Sequence, residues 1–424
     1  MQVEDVGHKL DSNPSFCLVP WIHSHISPQG VRQLCCIAEN SFGVNKKLDE
    51  FWNEEDMKDI RRRMLAGEIL PECNRCGDGT INPNTYRNYF QEKYGDLTDD
   101  VLSKTDSDGT YHGKPVTFDY RTNTCNFKCK ICNEEFSSQI HAEKVKTGKE
   151  LKFKVLNPSE REESLKIMND ELGDEDLLKD TLEFYWAGGE PMYWKTHWET
   201  LKKLVDLGYS KNVTLRYSTN LSIVDYKDES LFGYFDHFKK VELYCSLDGT
   251  GNIGEWIRSN LDYTKWRENF KRVVNYKEAN KHVEVQLAVA VTTLSILDIE
   301  NLYELAREFN VQVNFQTCYS NEATNLLSPK SFPKSMIKSI MDRFLERHAK
   351  DSNYIMDSFR AYFNFLLGQN FFEVQEAYDD DFRKGIEEMI YLDTHRAHSE
   401  LTFEKILELD HSLLDFYMQR KFRD

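Results

Sequence analysis

Three cysteines, Cys125, Cys129 and Cys132, fall within eight residues of the stretch TNTCNFKCKICNEEF, and no fourth follows. A structural zinc site takes four protein ligands, and electron-transfer iron–sulfur clusters are held by four thiolates. Three thiolates can ligate three irons of a 4Fe–4S cluster and leave the fourth iron open to a small ligand. The alternative is a zinc knuckle that borrows a distant fourth ligand.

A second group has the full complement. Cys17 and Cys35 are followed after a gap by CNRC, which holds Cys73 and Cys76. Four thiolates suit a zinc ion as well as a closed 4Fe–4S cluster, and composition does not separate the two. Cys36 adjoins Cys35 and could replace it. His23 and His25 alternate on an expected strand and read as satisfied polar side chains rather than ligands. In a reducing cytosol, such clustering among ten cysteines means metal ligation rather than a disulfide framework.

The chain has 424 residues, 40% hydrophobic and 29% charged, which is enough for two or three domains. A formal net charge of −17, with no basic stripe carrying interleaved aromatics, argues against a nucleic-acid partner. The opening MQVEDVGHKLDSNPSF is polar, and the most apolar run, VEVQLAVAVTTLSIL, contains Glu284 and Gln286 and is too short for a bilayer. A soluble, cytoplasmic protein with no membrane partner is expected.

These chemical residues need elements to position them. Up to about Gly109 the sequence is irregular apart from one helix, LDEFWNEEDMKDIRRRMLAGE. Then six strand patterns, PVTFDY, TLEFYWAGG, NVTLRYSTN, VELYCSLDG, VEVQLAVAVT and VQVNFQT, alternate with amphipathic segments such as WETLKKLVDLGY and IENLYELAREFN. Strands alternating with helices predict an α/β fold with a parallel sheet and right-handed crossovers. Buried parallel strands usually read as continuous apolar runs, but these alternate. Arg216, Ser218 and Asn220 share one face of the third strand, and Glu242, Tyr244, Ser246 and Asp248 one face of the fourth. Asp119, Tyr185 and Gln286 phase the same way. With helices on one side only, the polar side must line a lumen, as in a partial (β/α)6 barrel. The expected regions are 1–109, a cysteine-rich N-terminal module; 110–320, the barrel; and 321–424, a helical, aromatic-rich C-terminal region. The triad follows the first strand and so occupies its C-terminal loop, where such folds place their chemistry.

At these positions the sequence resembles the radical S-adenosylmethionine (SAM) superfamily, whose signature is a Cys-x3-Cys-x2-Cys loop after the first strand of a partial six-stranded barrel. Ile131 stands where many members carry an aromatic. The second strand ends in AGGEP, similar to the family's GGEP motif. The resemblance implies that Gly188 and Gly189 let the backbone approach the amino group of SAM, with Glu190 and Pro191 shaping the turn. It also implies that Ser218 and Asn220, at a strand end like the family's TN, and Ser246 and Asp248, in SLDG, face SAM or substrate. Arg258 resembles an arginine that pairs with the SAM carboxylate; a solvated helix arginine is the other reading. These matches cover roughly residues 112–320.

The N-terminal group, with Gly30 before Cys35, resembles the auxiliary-cluster module called twitch, a shortened SPASM domain. Here it precedes the barrel instead of following it. The late segment LDTHRAHSELTFEKILELDHSLLDF is also similar to C-terminal segments of such proteins. The resemblance implies two 4Fe–4S clusters, SAM, an electron donor such as flavodoxin or ferredoxin, and a deoxyadenosyl radical that takes hydrogen from a peptide, protein or small polar substrate. A non-catalytic iron–sulfur or zinc redox-sensing protein is the competing expectation; the three-cysteine count speaks against it, because a structural cluster gains nothing from an open iron. Of the remaining thiols, Cys245 falls on an apolar strand face. Cys318 falls on the polar face and is the candidate catalytic hydrogen donor.

Overall fold

The sheet begins earlier in the chain than the strand patterns do. In the computed structural model, which describes residues 15–76, 86–318, 324–396, 398 and 400–422, three short strands precede the barrel: β1 (His23–Ile26), β2 (Val31–Gln33) and β3 (Gly43–Val44). β1 pairs in parallel with β4 (Thr117–Tyr120), and β2 and β3 follow antiparallel. The N-terminal region, expected to be irregular apart from one helix and a strand at His23 and His25, therefore extends the barrel sheet. Its first strand, His-Ser-His-Ile, is buried along its whole length, so no apolar alternation marks it.

The six expected strands all form. After β4 and a two-residue β5 (Lys128–Cys129) come β6 (Glu183–Trp186) and β7 (Thr214–Thr219), then a small ribbon of β8 (Asp225–Tyr226) and β9 (Glu229–Ser230). β10 (Lys240–Ser246), a two-residue β11 (Arg258–Ser259), β12 (Val283–Val291) and β13 (Gln312–Thr317) complete the set. The main sheet runs β13-β12-β10-β7-β6-β4-β1-β2-β3. From β4 to β13 every pairing is parallel and spatial order follows chain order. A doubly wound sheet reverses its order at a switch point; this one does not, so its crossovers stay on one face and it curls as a barrel sector.

That outer face carries the apolar half of the alternation. Leu215, Tyr217, Leu243, Cys245, Leu287 and Val289 are buried in one core with Trp198 and Leu201 of the helix Lys195–Asp206, Trp266 and Phe270 of Tyr263–Ala279, and Leu302 of Ile299–Glu308. The C-terminal helices Lys334–Arg347, Tyr354–Gly368, Tyr378–His395 and His411–Lys421 contribute Phe344, Phe359, Phe382 and Tyr417 to the same core. A second core joins Phe16, Trp21, Phe51, Met64, Phe90 and Tyr111 of the N-terminal region.

The inner face is polar, and an N-terminal helix closes its floor. Arg216 stacks on the Tyr185 ring at 3.9 Å, and the Tyr185 hydroxyl is 2.8 Å from Ser218 Oγ. Below them, buried Glu183 accepts hydrogen bonds from Tyr89 (2.5 Å), Tyr94 (2.7 Å) and Lys93 (2.7 Å) of the helix Tyr86–Tyr94. Three donors satisfy the carboxylate that burial would otherwise penalise.

Candidate metal centres and the barrel mouth

The triad sits on a loop folded against the far side of the barrel mouth. β5 pairs antiparallel with β11, so Cys129 lies opposite Arg258. A turn then brings the Cys132 amide to the Cys129 carbonyl at 3.1 Å, and the Phe127 amide lies 3.4 Å from Cys125 Sγ. Burial pushes all three thiols up, Cys132 to about 12, and the neighbouring cysteines add to the rise at Cys125 and Cys132. Deprotonating such a group requires a cationic partner, which is what a bound metal centre supplies.

The spread of the donors bears on which centre fits. Among the described residues, three ligand atoms come within 4.8 Å of one another only at His23–His25–Asp119 and at Glu300–Glu304–His348. Neither cysteine group is that tight. Zn–S bonds of about 2.3 Å in a tetrahedron bring sulfurs to about 3.8 Å, so neither group as it stands has the close donor spacing of a bound zinc ion.

The GGEP turn packs onto the segment leading into the triad. Gly188 (φ +110°) bridges to Thr122; the Gly189 amide donates to Thr122 O at 2.8 Å and the Glu190 amide to Thr124 O at 2.7 Å. A Cβ on Gly189 would lie 2.2 Å from Thr124 O, so only glycine permits this approach. These glycines admit the chain beside Cys125. Glu190 joins this turn to the end of β7: it accepts from Asn220 N at 2.6 Å, Thr219 Oγ1 at 2.9 Å and Met192 N at 3.3 Å. Burial raises its carboxyl to about 7 despite those donors. Pro191 starts the 3-10 turn that follows. Asn220 in turn donates to Asn126 Oδ1 at 2.9 Å, next to the first cysteine.

Asp248 and Arg258 face each other. Arg258 Nη2 donates to Asp248 Oδ1 at 3.0 Å and its Nε lies 2.8 Å from Oδ2, both side chains being buried. The solvated-helix alternative for Arg258 is thereby excluded, and its partner here is a carboxylate of the chain itself. Ser246 is half-buried at the end of β10. Cys318, just past β13, is buried in the main core, where Asn325 Nδ2 lies 3.8 Å from its sulfur and burial lifts the thiol to about 12.

In the N-terminal region Cys17, Cys35, Cys73 and Cys76 line one small cavity with Leu34, Met64 and Arg87. Burial raises Cys17 to about 12 and Cys73 to about 11, and the Arg87 guanidinium opposes both rises. Cys36 does not line this cavity. Its charged neighbours are Arg121, Asp119 and Arg216 of the lumen, with Tyr86 as hydrogen-bond partner. Adjacent residues thus face two different compartments, and Tyr86 borders both.

On the lumen floor, Thr117 Oγ1 donates to Ile22 O at 3.0 Å and so accepts from His23 Nδ1 at 2.9 Å. Burial holds His23 neutral, its pKa pushed down to about 3, and lowers His25 as well. Asp119 gives both oxygens to Arg121, at 2.7 and 2.8 Å, and Oδ2 also lies 3.2 Å from His25 Nδ1. Two imidazoles and a carboxylate could hold a divalent cation, but a carboxylate already neutralised by Arg121 has little to offer one. His23 and His25 lie among the lumen polar groups, but His23 Nε2 and His25 Nδ1 have no hydrogen-bond partner among the described residues, so the two rings are not fully satisfied, contrary to expectation.

Sequence reasoning missed two cations at the triad. Lys130 and Arg396 are both buried against its loop. Arg396 lies 267 residues from Cys129, whose carbonyl it binds at 3.0 Å, and no local pattern announces such a contact.

No family model matches the chain, and no curated protein does. Among solved structures, anSMEcpe with bound AdoMet is similar at 17% identity, covering 53% of this chain and 59% of that one, with a TM-score of 0.34. Streptococcus suis SuiB bound to S-adenosylmethionine is similar at 12% identity, covering 72% and 64%, with a TM-score of 0.36. TYW1 with a lysine-pyruvate adduct bound follows at 12% identity, covering 69% and 89%, with a TM-score of 0.31. In the first anSMEcpe and SuiB structures the match spans less than two thirds of the other chain, while in native anSMEcpe with bound AdoMet it spans 81%.

Proposed function

We propose that this chain is a radical SAM enzyme of the SPASM/twitch type. The observation that carries this is the three-cysteine loop, short of a fourth ligand, held at the C-terminal mouth of a parallel barrel sector by the GGEP turn. Cys125, Cys129 and Cys132 would hold a 4Fe–4S cluster with one iron open to SAM, and Cys17, Cys35, Cys73 and Cys76 an auxiliary cluster. Together the bound cluster and SAM supply one-electron cleavage of the sulfonium and, through it, hydrogen abstraction from substrate.

The chain's own groups do the rest. Gly188, Gly189 and Glu190 fix the wall beside Cys125, and Ser218, Asn220, Ser246, Asp248 and Arg258 border the mouth. The polar lumen takes a peptide, protein side chain or small polar molecule. Residues 1–109, 110–320 and 321–424 form the auxiliary, barrel and helical regions. The setting is cytosolic, with flavodoxin or ferredoxin as electron donor; no helix among the described residues is long and apolar enough to cross a membrane.

The open iron is tested by electron paramagnetic resonance on anaerobically reconstituted, reduced protein. Adding SAM should shift the spectrum of the cluster lost when Cys125, Cys129 and Cys132 are replaced by alanine. A spectrum unchanged by SAM would mean that the triad's centre has no position for it.

A further inference from the structure

The C-terminal region reaches the triad loop through a buried arginine. Arg396 ends the helix Tyr378–His395, and its side chain is 2% exposed. Its Nη1 donates to Cys129 O at 3.0 Å and lies 3.4 Å from Lys128 O, and its Nε donates to Glu143 Oε1 at 2.7 Å. Lys128 uses the same carboxylate at 2.8 Å. Lys130, between the second and third cysteines, donates to Trp256 O and Arg396 O at 2.7 Å each and lies 4.1 Å from the Trp256 ring centre.

The charges around this loop do not cancel. Arg258 is neutralised by Asp248, but Lys128 and Arg396 share the single carboxylate of Glu143. An excess of positive charge therefore faces three thiolates in a buried setting, where screening is weak. Arginine keeps its charge at any working pH, so this field is permanent.

We propose that Arg396 is a positioning residue that sets the reduction potential of the group held by Cys125, Cys129 and Cys132. The step concerned is the gain of one electron by that group from the external donor. The reduced form carries one more negative charge, and the guanidinium stabilises it relative to the oxidised form. This inference rests on the functional reading above.

Full-length protein is reconstituted anaerobically, and the midpoint potential of the triad's cluster is followed by electron paramagnetic resonance. Arg396→Gln should shift the potential to more negative values. Arg396→Lys, which keeps the charge but loses the planar fork, should stay close to the parent. Glu143→Gln removes the opposing charge and should shift the potential the other way. That opposition in sign is what loosening of the loop would not produce. Equal shifts in the glutamine and lysine variants of Arg396, a Glu143→Gln shift in the same direction, or no shift at all would overturn the proposal. If Arg396→Gln takes up no iron, the lysine variant and Glu143→Gln decide it. A parent protein that takes up no iron at the triad overturns the functional reading, and the inference with it.

Discussion

Arg258 and Asp248 meet in a two-point ion pair at the barrel mouth, with contacts of 3.0 and 2.8 Å and both side chains buried. Asp248 Oδ1 also accepts the Ala290 amide at 2.8 Å, so the pair ties the ends of β10 and β12 to β11. Removing one partner of a buried pair leaves the other charge uncompensated, at a cost of about 3–5 kcal/mol. Asp248→Asn keeps the shape and loses the charge. It should lower the stability measured by urea unfolding by that order, while Asp248→Asn combined with Arg258→Met should recover part of the loss.

Glu190 makes a pH prediction. Its folded carboxyl is raised to about 7 from 4.5 by burial, so between those values the folded protein binds the proton more strongly than the unfolded chain does. The contribution is fully present below about pH 4.5 and is lost as pH rises through 7, amounting to at most about 3 kcal/mol. Urea unfolding of iron-free protein at pH 5 and pH 8 should show that loss in the parent. Glu190→Gln should show less of it.

Gly189→Ala places a methyl group where Thr124 O stands at 2.2 Å. The turn and the triad segment must separate, and overpacking of this kind costs about 1–3 kcal/mol. The expected signature is selective: iron at the triad falls while iron at the N-terminal quartet stays, as counted by metal analysis against the triple-alanine variant of the triad.

The two adjacent cysteines should behave differently. Cys35→Ala removes a wall of the four-cysteine cavity, and Cys36→Ala alters only the lumen. Reconstituted parent should hold about eight irons per chain, from two 4Fe–4S clusters. Cys35→Ala should lose about half of them and Cys36→Ala none. Zinc at the quartet with about four irons per chain would contradict the auxiliary cluster.

How legible the molecule was depends on the range of each interaction. The six barrel strands announced themselves because each alternates apolar and polar residues over a run bounded by turns, and the side of Arg216, Ser218 and Tyr185 followed from parity alone. β1 was legible only as a strand carrying His23 and His25, and not as part of this sheet, because His-Ser-His-Ile is buried on both faces and its neighbours Thr117, Asp119 and Tyr120 come from another part of the chain. The triad was legible as three residue types at fixed spacing, but not the reason for Gly189, which is the backbone of Thr124. The choice between Cys35 and Cys36 turned on which way each side chain faces, and spacing from Gly30 only hinted at it. Arg396 was invisible, since a contact across 267 residues leaves no local trace.

The central claim is that Cys125, Cys129 and Cys132 hold a centre that cleaves SAM. It is tested most directly by incubating reduced, reconstituted protein with SAM and quantifying deoxyadenosine and methionine by liquid chromatography. The parent should release both in equal amounts, slowly even without substrate, and the variant with all three cysteines replaced by alanine should release neither. Cleavage by that variant at the parental rate would contradict the account.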